Sequence, residues 1–353
     1  MKRVRIKNED KLSFTYRYQT RDIVKNYAQE EGVLMMEELL GLEGFRTASA
    51  FTTTADIVLE FMPNGKTVLR KSKPTQTHLP SLDHNTAKNR LIPAGGKSYL
   101  HLLKITDEKG EVYKNAQDKY KQINHYVELL SPLIQSLPQR DTIEVTDMGA
   151  GKGYLTFALY DYLSNELHKQ TRVRGVEYRK DLVELCNGIA KQSGFGGLEF
   201  VQGTINDFDS TGTHVMIALH ACDTATDDAI QKGISAGADL IVVAPCCHKQ
   251  IRREIEKHKT KNELDFLLKH GIFMERQAEM VTDGIRSLIM EYFGYTTKVF
   301  QFISDVHTPK NVMITGEKKS KSKEQQAEIL EKIKATKKFF GIEKHYLETL
   351  MGI

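Results

Sequence analysis

The sequence predicts an α/β protein: a parallel sheet with helices on both faces, preceded by an α+β segment and followed by a helical tail. Three observations predict it. From Ile143 onward, five short apolar runs alternate with stretches of helical periodicity, the pattern of strands joined by crossover helices. Two further runs, Thr297–Ser304 and Asn311–Thr315, follow with little between them, which favours antiparallel pairing at the end of the sheet. A turn stripped of side chains, Gly149-Ala-Gly-Lys-Gly153, directly follows the first run.

The elements follow in order. Asp22–Leu42 has apolar residues near helical spacing and Gly41 near its end, and is predicted as a helix. Asp56–Met62 and Lys66–Lys71 flank Pro63-Asn64-Gly65, a strong hairpin signal. Thr75–Lys97 carries Pro, Asn, Gly and Ser and is predicted as a long loop, and Tyr113–Leu137 as an amphipathic helix. The predicted strands are then Ile143–Met148, Arg172–Tyr178, Leu198–Gln202, Val215–Leu219 and Leu240–Ala244. The intervening helices are Tyr154–Lys169, Lys180–Lys191, Ala225–Ala236 and Lys249–Lys257. A helix over Met280–Phe293 precedes the last two strands, and Gln325–Phe340 and Lys344–Met351 are predicted helical. The expected domains are 1–115, an α+β region suited to substrate recognition; 116–317, the sheet; and 318–353, a basic helical tail. That tail either docks on the body or meets a polyanion, and Phe339, Phe340, Tyr346, Leu347 and Leu350 favour docking.

The 353 residues are 40% hydrophobic and 27% charged, enough apolar material to bury cores of two domains. A net charge of +4 is too mild to imply nucleic-acid binding on its own. Basic clusters do occur, at Lys2–Lys7, at Lys249–Lys261 and beyond Lys318, and solvated surface is their plain explanation. Another basic patch, Tyr16, Arg17, Tyr18 and Arg21, suits either base stacking or helix decoration. Met1-Lys-Arg-Val-Arg-Ile has no leader-like apolar segment, and Leu240–Pro245 is too short to span a bilayer. A cytoplasmic protein with no membrane partner is therefore expected. The adjacent pair Cys246 and Cys247, among four cysteines, argues against a disulfide framework.

The glycine turn separates three chemistries. A phosphate-binding P-loop needs Ser or Thr after its lysine, and here Gly153 follows Lys152. A dinucleotide fingerprint places its third glycine one position later. The spacing Asp147-x-Gly149-x-Gly151-x-Gly153 closely resembles the first motif of class I methyltransferases, which have a Rossmann-like seven-stranded sheet. The resemblance implies S-adenosyl-L-methionine as cofactor, held by Asp147, Gly149, Ala150, Gly151 and Gly153. It also implies an acidic residue ending the second strand, where Glu177 stands to accept from the ribose hydroxyls. Asn206 and Asp207, after the third strand, are the expected adenine contacts.

Ligands in such sheets lie beyond the carboxyl ends of the strands. Two boxes fall there: His220-Ala-Cys222-Asp223 after the fourth strand and Pro245-Cys246-Cys247-His248-Lys249 after the fifth. With the tract Lys119-Tyr-Lys-Gln-Ile-Asn124, these boxes resemble a little-characterised family of class I methyltransferases. That family is related to eukaryotic tRNA 2′-O-methyltransferases carrying a Cys-Cys-His-His box. The resemblance covers Lys119–Gly316 and implies methyl transfer to RNA, either tRNA or rRNA. The chain departs from the tRNA enzymes at Lys249, where they have a second His, and lacks their separate zinc-finger cysteines.

The boxes admit several chemistries. They shape a methyl-transfer pocket, with His220 beside the cofactor, Asp223 at the cofactor or its water, and His248 or Lys249 positioning the nucleophile. Alternatively a cysteine attacks a pyrimidine ring. A zinc site from His220, Cys222, Cys246 or Cys247, and His248 has suitable donors but no C-x-x-C pair, so no metal is assigned. Simple burial of small cysteines is the remaining explanation. The expected catalytic set is Asp223, Cys246, Cys247, His248 and Lys249, with the proton acceptor open among Asp223, His248 and Lys249. Asn311, at the turn between the last strands, is a further candidate substrate contact. A small-molecule or protein methyltransferase, or a non-catalytic binding module, are the rival functions.

Overall fold

A computed structural model describes residues 1–19, 21–41, 44–79, 90–219, 224–258, 265–302 and 311–353. The chain separates into two compact units, Met1–Asn89 and Arg90–Ile353.

The first unit opens with β1 (Lys2–Ile6) and β2 (Glu9–Arg17), an antiparallel hairpin. Lys7 and Asn8 both have positive φ, 50° and 64°, the backbone of a tight two-residue turn. β3 (Asp22–Ala28) pairs with β2 and runs into α1 (Gln29–Leu39). The helix predicted over Asp22–Leu42 is thus corrected in its first part, and residues 42 and 43 lie outside the described residues. Ile23 and Tyr27 sit in register with Tyr16 and Leu12, so cross-strand pairing overrides the local helical spacing. α1 lies close on this sheet, because a Cβ on Gly32 would come within 2.8 Å of Leu12. A second antiparallel sheet holds β4 (Thr47–Phe51), β5 (Asp56–Phe61) and β6 (Thr67–Ser72). The Asn64-Gly65 hairpin forms as predicted, with Gly65 at φ 80°.

The second unit begins with α2 (Ser98–Leu102) and α3 (Gln117–Gln135), and then alternates. In order come β7 (Thr142–Met148), α4 (Tyr154–Asp161), β8 (Gln170–Glu177), α5 (Lys180–Gln192), β9 (Leu198–Gln202) and β10 (Val215–Ala218). α6 (Ala225–Ser235), β11 (Leu240–Val243), α7 (Lys249–His258), α8 (Asp265–Leu268) and α9 (Gly271–Tyr292) follow. β12 (Tyr295–Gln301), β13 (Val312–Lys318), α10 (Lys323–Phe340) and α11 (Tyr346–Met351) complete it. The helix predicted to reach Lys169 changes at Asp161 into a π-helical turn over Tyr162–Glu166. Fully buried Asp161 there accepts hydrogen bonds from Lys97, Asn165 and Tyr99.

The seven strands order β12-β13-β11-β10-β7-β8-β9. β13 alone runs antiparallel, between β11 and β12. This is the Rossmann-like seven-stranded sheet that the sequence predicted, including its reversed ending. Alternation sorts the central strands between two cores. Val215, Ile217, Leu240 and Val242 face the side of α3, α4 and α5, while Met216, Ala218, Ile241 and Val243 face that of α6, α7 and α9. The tail docks: Ile329 and Ile333 of α10 and Leu347 of α11 are buried in the second core.

Candidate active site

The site is built on the turn after β7. Gly149, Gly151 and Gly153 have φ of 74°, 58° and 70°, a conformation that side chains resist. Gly149 and Ala150 donate their backbone N–H groups to the Val176 carbonyl, at 2.9 and 3.1 Å, so the turn is pinned to β8. The glycines differ in what they spare. A Cβ on Gly153 would lie 2.8 Å from the Phe200 ring, so packing excludes it. Cβ atoms on Gly149 and Gly151 would meet nothing within 4 Å, because these positions face open space.

That space is a cleft of about 440 Å³, lined among others by Asp147, Gly149, Ala150, Gly151, Glu177 and Leu219. Asp147 is buried, and its Oδ2 accepts from Thr156 Oγ1 at 2.6 Å. Burial raises its carboxyl to about 7, against the opposing pull of that hydrogen bond. Glu177 is set the other way. Burial works to raise its carboxyl, but the Arg179 backbone and side chain and the Gly151 N–H all donate to it and hold it below its ordinary value. One wall therefore carries a carboxylate short of partners and another carries one that is already charged.

This arrangement fits S-adenosylmethionine. Side-chain-free backbone leaves room at Gly149 and Gly151, Asp147 suits an ammonium, and Glu177 suits vicinal hydroxyls. When bound, the sulfonium supplies an activated methyl group.

α3 adds Lys119, Gln122 and Ile123 to the lining of the cleft. Within the tract Lys119–Asn124, Gln122 lines the cleft. Lys121 instead pairs with Asp118 on the surface, and Asn124 is buried, accepting from the Ile92 N–H and donating to the Tyr120 carbonyl. A second cleft, of about 370 Å³, shares Lys119, Lys152 and Tyr154 with the first and adds Lys104. Lys119 Nζ stands 3.9 Å above the Tyr154 ring. Asn206 and Asp207 are exposed and do not line the cofactor cleft; Asp207 Oδ2 accepts from Thr204 Oγ1.

The first box is not described: His220, Cys222 and Asp223 lie outside the described residues. The second is. Ala244 follows β11 and donates its N–H to Ala218 of β10, so the two strand ends are neighbours. Cys246 and Cys247 are half-buried and reduced, and Lys249 is exposed at the start of α7. Cys186 Sγ lies 3.8 Å from the Gly151 carbonyl oxygen, and burial beside Glu177 pushes its thiol up to about 12. Asn311 is nearly buried, and its carbonyl accepts from the Phe302 N–H. Among the described residues no group of three or more His, Cys, Asp or Glu is placed to hold a metal ion.

His248 is only 5% exposed and opens a buried polar chain. Its Nε2 lies 3.2 and 3.3 Å from the two Asp283 carboxylate oxygens. Arg286 donates to Asp283 at 3.2 Å and grips Asp227 with two bonds of 2.8 and 2.9 Å. Burial opposes the Arg286 charge, but Asp227 and Asp283 outweigh it and raise its pKa. Among the described residues, buried His248 Nδ1 has no hydrogen-bond partner. The C-terminal segment closes over this chain. Tyr346 Oη donates to Asp228 at 3.0 Å, and its N–H donates to Gln250 of α7. His345, fully buried, is pushed down to about 4 by burial, with Asp227 opposing. Asp283 and Arg286 escape a reading by motif because they lie inside a helix, 35 and 38 positions beyond His248.

Residues 118–254 match the model of a family described as a methyltransferase domain. The chain is also similar to several solved structures. One is an rRNA methylase from Streptococcus thermophilus, at 12% identity over 57% of this chain and 97% of that one, with a TM-score of 0.34. Another is a SAM-dependent methyltransferase from Aquifex aeolicus, at 12% identity over 58% and 97%, with a TM-score of 0.34. A third is TYW2 of M. jannaschii in complex with AdoMet, at 13% identity over 55% and 74%, with a TM-score of 0.33. No curated protein matches the chain.

Proposed function

We propose that this chain, an S-adenosylmethionine-dependent methyltransferase by its matched domain and its sheet, transfers the methyl group to RNA, either tRNA or rRNA. One observation carries the proposal. The cofactor cleft adjoins a second cleft through Lys119, Lys152 and Tyr154, and Lys104 extends the basic lining. Cations and an aromatic face beside the methyl donor suit a phosphate backbone and a stacked base. The boxes' resemblance to tRNA methyltransferases supports the same substrate.

The cofactor would be held by the turn Gly149–Gly153, with Asp147 at its ammonium and Glu177 at its ribose. His220 remains a proposed adenosyl-side contact, whereas Asn206 and Asp207 stand outside the lining of the cleft. Asp223, Cys246, Cys247, His248 and Lys249 are the proposed acceptor-side groups. Methyl transfer to oxygen or nitrogen asks mainly for proximity, alignment and a place for one proton.

The test is tritiated methyl transfer from S-adenosylmethionine to bulk cellular RNA, protein and small-molecule fractions. Counts in RNA, with binding that weakens steeply as salt rises, are the expected result. Counts confined to the protein or small-molecule fraction would overturn the substrate.

A further inference from the structure

We propose that Lys104 is a phosphate anchor in a groove that takes an unpaired RNA segment alongside the cofactor cleft. The inference rests on the RNA reading above and adds to it an anchoring residue, a path and the single-stranded state of the bound segment.

The anchor is read from a backbone that has no use for its side chain. α2 ends in a cap where the Ile105 N–H donates to the Leu100 carbonyl and the Lys104 N–H to the His101 carbonyl, both at 2.8 Å. Helices make this pair of bonds with a left-handed residue, usually glycine, one place past the cap. Lys104 fills that place at φ 59°. Main-chain groups supply both bonds, and Leu100 and Ile105 bury the apolar contact that accompanies them. Glycine would make the same turn without the crowding of a Cβ. The Lys104 side chain therefore adds nothing to the cap, and its use lies in what it lines.

Lys104 is exposed and lines two clefts at once. One is the cleft joined to the cofactor site through Lys119, Lys152 and Tyr154. The other, of about 540 Å³, adds His101 and Tyr113. Neither has an aspartate or glutamate in its lining, whereas the cofactor cleft has Asp147 and Glu177. Among the described residues Lys104, Lys119 and Lys152 form no ion pair, whereas Lys121, on the same helix as Lys119, pairs with Asp118. Three unpaired ammonium groups along an acid-free groove suit successive phosphates. Tyr113, 42% exposed, offers a face on which an unpaired base can stack. Bases closed within an RNA helix offer no such face, so the groove favours a single strand.

The experiment follows fluorescence anisotropy of a labelled, mixed-sequence single-stranded RNA, titrated with the full chain at several salt concentrations. The logarithm of wild-type affinity should fall against that of salt with a slope of about −2 or steeper, as three phosphates require. Lys104→Gly should weaken binding by about 3–10-fold at low salt and make the slope shallower by about 0.7, while melting no lower than wild type. Lys104→Arg should keep wild-type affinity and slope. Tyr113→Ala should weaken binding by about 5-fold or more at every salt concentration, with the slope unchanged. Lys121→Ala should match wild type. An unchanged affinity and slope in Lys104→Gly would overturn the anchor, and so would an equal loss in Lys121→Ala. A lower melting temperature in Lys104→Gly would do the same, by returning the side chain to the fold. A Tyr113→Ala loss of equal size on duplex RNA would overturn the unpaired state. Tritium transfer to RNA judges the substrate reading separately. Labelled RNA with a slope independent of Lys104 sinks only the anchor, and a Lys104-dependent slope without label sinks only the substrate.

Discussion

The glycine turn after β7 and the buried polar chain around Arg286 belong to one sheet domain, yet they are made in opposite ways. The turn is local. Seven consecutive residues, Asp147 to Gly153, supply its shape, and the Glu177 carboxylate comes from the adjacent strand. The buried chain is assembled from distant segments: His248 before α7, Asp283 and Arg286 on α9, and Asp227 on α6. The turn leaves groups exposed to a ligand, whereas the chain seals charges from water. The difference teaches that binding chemistry can be encoded within one loop, while compensation of buried charge draws on the whole core.

Several changes would break or sharpen this contrast. Gly151→Asp should lower cofactor affinity by about 100-fold or more, on the order of 3 kcal/mol, because a second carboxylate enters beside Glu177. The added Cβ meets open space, but the left-handed φ of 58° should cost about 1 kcal/mol of stability. Calorimetric titration paired with urea unfolding checks both halves, and unchanged affinity would remove the cofactor assignment.

Arg286→Ala should do the reverse. It strands Asp227 and Asp283 in the core and should cost about 3–5 kcal/mol of stability. Urea unfolding at fixed pH measures it.

Asp147→Asn separates binding from stability within the turn. The raised carboxyl means that ionising Asp147 in the native state is unfavourable. Its contribution is fully present below the ordinary aspartate value of 3.8 and is lost as pH rises through about 7. At about pH 8 the asparagine protein should therefore be more stable than wild type by about 2–4 kcal/mol, with the gap closing towards pH 4. Cofactor binding should weaken in the same variant. A stability gain absent at high pH would show that Asp147 already has a compensating partner.

The smallest effect is expected at the tail. His345 has a depressed pKa, so it contributes stability above about 6.5 that is lost as pH falls towards 4. His345→Gln should flatten that acid loss by about 1–2 kcal/mol, read from unfolding midpoints between pH 7 and 4.5.

Legibility in the sequence follows the same division. The sheet, its reversed ending and the Asn64-Gly65 hairpin were readable because periodicity and turn chemistry act over a few residues. β3 was misread as helix because its partner strand, β2, itself went unnoticed. Yet Lys2-Arg-Val-Arg-Ile6 alternates, and Phe14, Thr15 and Tyr16 suit a strand. Lys119 and Lys152 both stand in sequence motifs, but only packing shows that they line the same two clefts. Asp283 has no local signature at all; its meaning comes from a helix turned towards His248.

β13 reverses direction inside an otherwise parallel sheet. Its two ends consequently open onto opposite rims. Gln301 and Val312 are strand termini on the rim where β7 runs into the glycine turn, while the link from Lys318 to Lys323 leaves from the far rim towards the tail. Two adjoining stretches of chain are thus free to diverge under separate selection. Lengthening the first would change the rim that carries the glycine turn, and lengthening the second would alter only how the last helices are tethered.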